Sequence, residues 1–266
     1  MHKLLLNLGW RAWTVLGTRQ YAWMWLATLA SLRAIVRDRN LRELDRRMGR
    51  RLRIRCGAHR FWIDCGETDR LVPEDSFTFG LVRELYIRDC YLHLHRAALP
   101  SVKRVMDLGG NRGLFTILAS TFADEVLYVE CNPAYRPAVS YNLALNGVTG
   151  VVIRQAFVGA GGVLGEAHDD HVSVDALLDE IGWSEVDLVK MDIEGSEFAL
   201  FRDPAWLCRV RRVAMEVHHA HGECRKLLET FSDHGFETQM CMTTLQPTSR
   251  IAEANFVHAW RTSTRQ

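Results

Sequence analysis

Two short stretches of this chain hold most of the side chains that could move a proton or hold a cation. One reads Asp187-Leu188-Val189-Lys190-Met191-Asp192-Ile193-Glu194-Gly195-Ser196-Glu197, the other Met215-Glu216-Val217-His218-His219-Ala220-His221. Each starts apolar and ends in acids or histidines, as a buried strand opening onto a site would. In open α/β sheets, ligands bind outside the carboxyl ends of the strands. Asp192, Glu194, Glu216 and His218 are therefore the candidate catalytic residues. Strand alternation places Glu216 and His218 on one face, looking toward Asp192 across a pocket. A neutral imidazole near pH 7 is a suitable base for a hydroxyl acceptor. Asp192 and Glu194 could orient that acceptor, act as base, or hold a divalent cation. A cation held by these acids and His218 is the lesser alternative, and no metal is assigned. Glu197 falls in the first turn of the next helix, where the dipole favours an acid. His219 and His221 read as bystanders.

A third stretch, Val105-Met106-Asp107-Leu108-Gly109-Gly110-Asn111-Arg112-Gly113-Leu114-Phe115, suggests the cofactor. It is an apolar run, an acid, a Gly-rich turn and the start of a helix. A dinucleotide fingerprint needs G-x-G-x-x-G, and Leu108 stands where the first glycine must be. What remains is D-x-G-x-N-x-G. That suits a zwitterionic cofactor without a pyrophosphate, S-adenosylmethionine (SAM). Asp107 would order the turn and attract the cationic methionine end. Gly109 would allow close backbone approach, and Gly113 close helix packing. The helix N-terminus could receive the carboxylate. Glu130, 23 positions after Asp107, ends the next apolar run and could accept both hydroxyls of a ribose. Asn132 beside it is a second cofactor candidate, although capping the following helix would also explain it. Phe157, after the third strand, could stack on adenine or belong to the core.

These residues need a scaffold. From about 103 onward strands and helices alternate, which implies a parallel sheet. The expected strands are those ending at Asp107, then 126–130, 151–154, 186–192 and 212–218, with a closing hairpin near 236–242 and 255–261. Helices are expected from about 112 through Phe122, from Asn132 to Asn146 with Gly147 as cap, from Asp175 to Ile181, and around Cys224–Phe231 up to Gly235. The stretch 159–170 is Gly-rich and irregular. The fold class is thus α/β, a three-layer Rossmann-like sandwich. Upstream, residues 1–50 form a Trp/Arg-rich helical extension. Residues 51–100 form a hairpin (51–65, turning at Cys56–His59) and a helix over 77–99, leading into a 101–266 cofactor-binding domain.

Composition narrows the class. The 266 residues include seven scattered cysteines without a C-x-x-C pair, which argues for reduced thiols and a cytosolic setting. Net charge is +1, yet residues 33–55 hold ten arginines against three acids, leaving the rest acidic. No apolar run reaches the roughly 18 residues of a transmembrane helix. Trp10, Trp13, Trp23 and Trp25 alternate with arginines. Packing on the catalytic domain or on a second subunit is the plainer use of residues 1–36. Peripheral contact at the inner face of a membrane is the alternative.

The whole resembles the FkbM family of SAM-dependent methyltransferases. The resemblance rests on VMDLGGNRGLFTILAS, LYVECNPAYRPAVSYNLALNG, VSVDALLDEIGWSEVDLVKMDIEGSEFALF and VAMEVHH, with ELYIRDCY as lead-in, over about 77–261. It implies a class I methyltransferase fold, with a mostly parallel seven-stranded sheet and an antiparallel last strand, and most often O-methylation. Acceptors in the family include hydroxyls of small molecules, sugars and glycoconjugates. Asp107, Gly109, Asn111, Gly113 and Glu130 match its cofactor positions. Asp192, Glu194, Glu216 and His218 match its D-x-E-G and E-x-H motifs. Arg112 departs from the apolar residue usual in the turn, and Cys131 from proline. A DPPY motif is absent, which disfavours methylation of a base amine. An RNA methyltransferase using the Arg-rich segment and a non-catalytic SAM-fold binding protein are the competing readings. Against the first, no RNA-binding module is visible, so nucleic acid is a disfavoured partner.

Overall fold

The computed structural model describes residues 9–72, 76–159 and 171–261. The chain forms two compact units, neither continuous in sequence.

The first unit comprises Met1–Cys90, Asn111–Thr121 and Asn132–Thr149. Its longest element is α1, Trp10–Asp38, broken at Gly17. Met24, Ala27, Thr28 and Ser31 are buried at i, i+3, i+4, i+7 spacing, one helix face. The hydroxyls of Thr28 and Ser31 donate to carbonyls one turn back, so the buried face carries no unmet donor there. A short α2, Arg42–Arg47, buries Asp45, which Arg83 grips with two hydrogen bonds of 2.8 and 2.6 Å. Strands β1, Arg51–Cys56, and β2, His59–Asp64, form the expected hairpin. Leu52, Ile54, Phe61 and Ile63 alternate inward. Helix α3, Cys65–Leu71, is capped by Asp64.

The single helix expected over 77–99 does not form. A short α4, Thr78–Val82, runs into a wider π-turn, Arg83–Arg88, which stops at Asp89 in a left-handed conformation. Leu85, Tyr86 and Ile87 are all buried, and three consecutive buried residues exceed one α-helical face. Helices α5, Leu114–Ala119, and α6, Arg136–Leu145, complete the unit. Helix α5 ends before Phe122, short of the expected bound. Gly113 touches Val139 so closely that a Cβ would sit 2.5 Å from its Cγ2. Arg112, the departure in the turn, is buried and donates to Ser76.

The second unit comprises Tyr91–Gly110, Phe122–Cys131 and Gly150–Gln266. It holds β3, Arg104–Leu108; β4, Glu125–Glu130; β5, Val151–Gln155; the two-residue β6, Phe157–Val158, and β7, His171–Val172; α7, Val174–Glu180; β8, Leu188–Met191; α8, Glu197–Leu200; β9, Arg212–Glu216; α9, Cys224–Asp233; β10, Phe236–Cys241; and β11, Phe256–Arg261. Seven of these strands form one sheet in the order β10-β11-β9-β8-β3-β4-β5. Neighbours β9-β8-β3-β4-β5 are parallel, and β11 runs antiparallel to both β9 and β10. This is the class I methyltransferase arrangement. The central strands β3 and β8 are buried nearly end to end, as strands covered on both faces must be. Of the expected irregular stretch, 160–170 lies outside the described residues.

Candidate active site

The turn after β3 is fixed by backbone before any ligand arrives. The amides of Gly109 and Gly110 both donate to the Val129 carbonyl, at 3.0 and 3.1 Å. Gly109 has φ +72°, and a Cβ there would collide with the Asp192 carbonyl. No other residue fits, because the position needs both a left-handed backbone and an empty Cβ. Asn111 and Gly113 also hold positive φ, and the Asn111 side chain accepts from the Arg112 amide at 2.8 Å.

Asp107 is fully buried. Its partner is Lys190, one strand over in register, with the ammonium 3.3 Å from the carboxylate. Lys190 also donates to the Gly109 carbonyl at 2.6 Å. The acid thus orders the turn through this lysine. Burial pulls the Lys190 pKa down, but Asp107, Asp192 and Glu130 outweigh it and hold it above its ordinary value. Lys190 had been hidden inside an apolar run. A lysine in a central strand is itself a signal, since lysine is almost never buried unless paired.

Glu130 ends β4 as expected and is almost buried, with the Cys131 thiol 3.6 Å from its Oε1. Asn132 caps the next turn, accepting from the Ala134 amide at 3.0 Å. Phe157 is buried in the small β6–β7 pair, its ring centroid 6.4 Å from that of His171.

The second cluster lies past the ends of β8 and β9. Strand β9 ends at Glu216, so His218 stands beyond it, and strand alternation does not set its direction. Glu197 sets it instead. This carboxylate is fully buried, and its Oε1 accepts from the His218 amide at 2.8 Å and lies 3.1 Å from the ring Nδ1. Its Oε2 accepts from the Gly195 amide at 2.8 Å. The four-residue α8 therefore gains little from a dipole at Glu197. The residue is a clamp that orients the imidazole. The other ring nitrogen, Nε2, looks toward Glu194 at 3.4 Å and Asp192 at 3.9 Å. Glu194 is exposed and has φ +51°, an uncommon conformation of the kind that gathers at functional loops. Glu216 meets Asp192 through a shared phenol: the Tyr91 hydroxyl reaches Asp192 Oδ2 at 3.0 Å and Glu216 Oε2 at 3.3 Å. Tyr91 links the two strand ends, a contact local sequence spacing does not encode.

These contacts correct the expectation of a neutral His218. The Glu197 hydrogen bond, opposed by burial and reinforced by the charges of Glu197, Asp192 and Glu194, raises its pKa to about 9. At pH 7 the ring is an imidazolium. Burial pushes the Glu197 carboxyl up, but its bonds from His218 win and hold it below the usual range. One donor atom each from Asp192, Glu194 and His218 lie within 4.8 Å of one another, close enough to surround a cation. A protonated ring, however, offers no lone pair, so the arrangement as it stands is a charge network. His219 and His221 serve structure: His219 meets the Ala254 carbonyl, and the His221 ring packs where a Gly195 side chain would be.

Several solved structures resemble the chain. An FkbM methyltransferase from Methylobacillus flagellatus KT is 13% identical, with 67% of this chain and 52% of that one covered, at a TM-score of 0.42. An rRNA methylase from Streptococcus thermophilus is 12% identical, covering 64% and 95%, at 0.44. A Streptococcus mutans protein described as a methyltransferase in complex with S-adenosylhomocysteine (SAH) is 12% identical, covering 63% and 95%, at 0.43. No curated protein matches the sequence. The methyltransferase FkbM domain matches residues 107–238, a span that holds the β3 turn, Glu130, the D-x-E-G loop and His218. Residues 107–238 carry the methyltransferase FkbM domain, and that span is what places this protein beside the FkbM methyltransferases.

Proposed function

We propose that this protein is a SAM-dependent O-methyltransferase acting on a hydroxyl of a small molecule, sugar or glycoconjugate. The observation that carries the reading is the pairing of a half-buried, oriented imidazole with acids at two adjacent strand ends, beside a glycine turn that leaves no room for a side chain. The residues fit SAM. Glu130 is a strand-end carboxylate suited to a ribose diol. Gly109, Asn111 and Gly113 shape the turn, with Asn132 and Phe157 as further contacts. Lys190 neutralises Asp107, so the turn carries less negative charge than its sequence suggests. Bound SAM would supply an electrophilic methyl group on a sulfonium.

His218 is the acid–base residue of this proposal. Its proton must leave before it can accept one from the acceptor hydroxyl. A cation bound beside Asp192 and Glu194 would screen those acids and lower the His218 pKa from about 9, although the Glu197 hydrogen bond, the largest cause of the rise, would remain; the released proton would go to solvent. The ring then takes the hydroxyl proton from Nε2 while Glu197 holds Nδ1–H and stabilises the imidazolium that forms. Asp192 and Glu194 position the acceptor, and Glu216 with Tyr91 holds Asp192 in place.

The proposal extends to where the enzyme works. Trp25, Leu26, Leu29, Leu32 and Val36 of α1 are exposed along one side, opposite the buried face of Met24, Ala27, Thr28 and Ser31. Leu29 and Val36 are 64% and 69% exposed, and Arg33 and Arg37 stand among them. Among the described residues no helix is long and apolar enough to cross a membrane. An apolar stripe edged with arginine suits the surface of an anionic bilayer, where each cation adds about 1 kcal/mol. We therefore favour an acceptor met at the inner face of a membrane. Binding to vesicles containing phosphatidylglycerol but not to phosphatidylcholine alone, lost in Leu29→Glu, is the expected result. Dimerisation without vesicle binding would assign the stripe to a second copy.

Transfer of labelled methyl groups from SAM tests the acceptor class. Label is expected in hydroxylated glycans or glycolipids. Label in RNA, with a steep salt dependence, would overturn the reading in favour of an RNA substrate using the Arg-rich 33–55 segment.

A further inference from the structure

A second set of chemistry-bearing side chains lies in the same unit, outside the residues used above. His93 is in the segment after Tyr91, Cys241 ends β10, and His258 is in the middle of β11. One ligand atom from each lies within 4.8 Å of the other two. The Cys241 sulfur is 3.9 Å from His93 Nε2. The His93 and His258 rings meet edge to face, with centroids 4.7 Å apart at 87°.

The second observation is on His258. The residue is fully buried, and its Nε2 meets no hydrogen-bond partner among the described residues. An orphaned buried nitrogen costs about 1–3 kcal/mol and calls for an explanation. Its other nitrogen, Nδ1, lies 3.2 Å from His95 Nε2. If His258 Nδ1 is the donor in that contact, Nε2 is left with a lone pair. That is how histidine ligands of metals are oriented, with the far nitrogen donating to a partner that fixes the tautomer.

We propose that His93, Cys241 and His258 form a binding site for a zinc-class divalent cation, with His95 as the residue that positions His258. The donor set of two imidazoles and one thiolate suits a borderline-soft ion and leaves a fourth position for water. Around tetrahedral zinc, nitrogen and sulfur ligands stand roughly 3.5 Å apart, so Cys241 and His93, at 3.9 Å, need close only slightly and no pair by more than about 1.3 Å. Binding replaces the Cys241 thiol proton with the metal, and that proton leaves to solvent. His258 is fully buried, and the partly exposed His93 gives the ion a route in. The ion would tie the 91–95 segment to β10 and β11. Tyr91, two residues from His93, bonds Asp192 and Glu216, so a filled site would hold that phenol in place.

The test is titration of the chelator-treated full-length protein with cobalt(II), read by absorbance, beside its melting temperature with and without zinc. Expected are one cobalt per chain, a thiolate charge-transfer band with strong tetrahedral visible bands, and a zinc-dependent rise in melting temperature. Cys241→Ser should abolish the charge-transfer band, and His93→Gln, at a partly exposed position, should reduce affinity at least about tenfold. No stoichiometric cobalt binding by the wild type would overturn the proposal. So would a thiolate band that survives in both variants, which would place the ion on another cysteine such as the exposed Cys208. Cobalt bound without a thiolate band would exclude Cys241 as a ligand and equally overturn it.

Discussion

The unit that carries the sheet contains two histidine clusters, and they are opposites. His218 stands among three carboxylates, and its pKa is raised to about 9, first by the Glu197 hydrogen bond. His95 is buried with Arg212 and His93 as its charged or chargeable neighbours, and desolvation lowers it to about 4. His258 is driven down by the same burial. One imidazole is therefore kept ready to hold a proton and the others to offer lone pairs. Burial alone does not decide this. Glu197, itself fully buried, turns burial from a penalty on the charged ring into a reason for the pair to stay together.

The largest expected effect comes from removing the proton-holding cluster. His218→Ala and Asp192→Asn should each lower methyl transfer by about 10²–10⁴-fold. SAH binding should change by less than about threefold, as read by calorimetry. Loss of cofactor affinity in both would place these residues in binding and remove the acid–base role.

The contrast itself is tested by Glu197→Gln. His218 should then titrate near its ordinary value of 6.5 instead of about 9, followed by the ring proton signals in NMR. Stability follows with a definite sign. A histidine raised in the folded state stabilises it fully below the unfolded pKa of about 6.5, and that stabilisation is lost as pH rises through about 9. Denaturant unfolding should therefore show the wild type losing up to about 3 kcal/mol between pH 6 and pH 10 from this group. In Glu197→Gln that loss should nearly vanish. An unchanged His218 titration would mean that Asp192 and Glu194, not the buried clamp, set its charge.

The smallest effect belongs to the buried cluster. The ring of His95 should show no protonation between pH 8 and pH 5.5, whereas His218 should be fully protonated by pH 7 in the ligand-free protein. Protonation of His95 in that range would erase the contrast.

The parts of this site that local spacing encodes were legible in the sequence. The β3 turn announced itself because glycines are needed wherever the backbone turns left-handed and meets the Asp192 carbonyl. Glu130 and the D-x-E-G loop followed from their places at strand ends. Partners brought in from afar were not legible. Lys190 received no role from the sequence, because its partner Asp107 lies 83 residues away. Tyr91 lies 101 residues from Asp192 in sequence, and Glu197 21 from His218. The charge of His218 depends on that distant clamp, so an ordinary pKa was the natural and mistaken expectation. The helix expected over 77–99 failed for a similar reason: burial of consecutive residues at 85–87 overrode a helical period.

The central claim is that the β3 turn and Glu130 bind SAM. SAH titrated calorimetrically into the wild type and into Glu130→Ala tests it most directly, without an acceptor. Micromolar binding to the wild type is expected, with a loss of about 10- to 100-fold in the variant, the worth of one or two hydrogen bonds to a charged acceptor. A folded wild type that binds neither SAM nor SAH, or a Glu130→Ala that binds as tightly as the wild type, would contradict it.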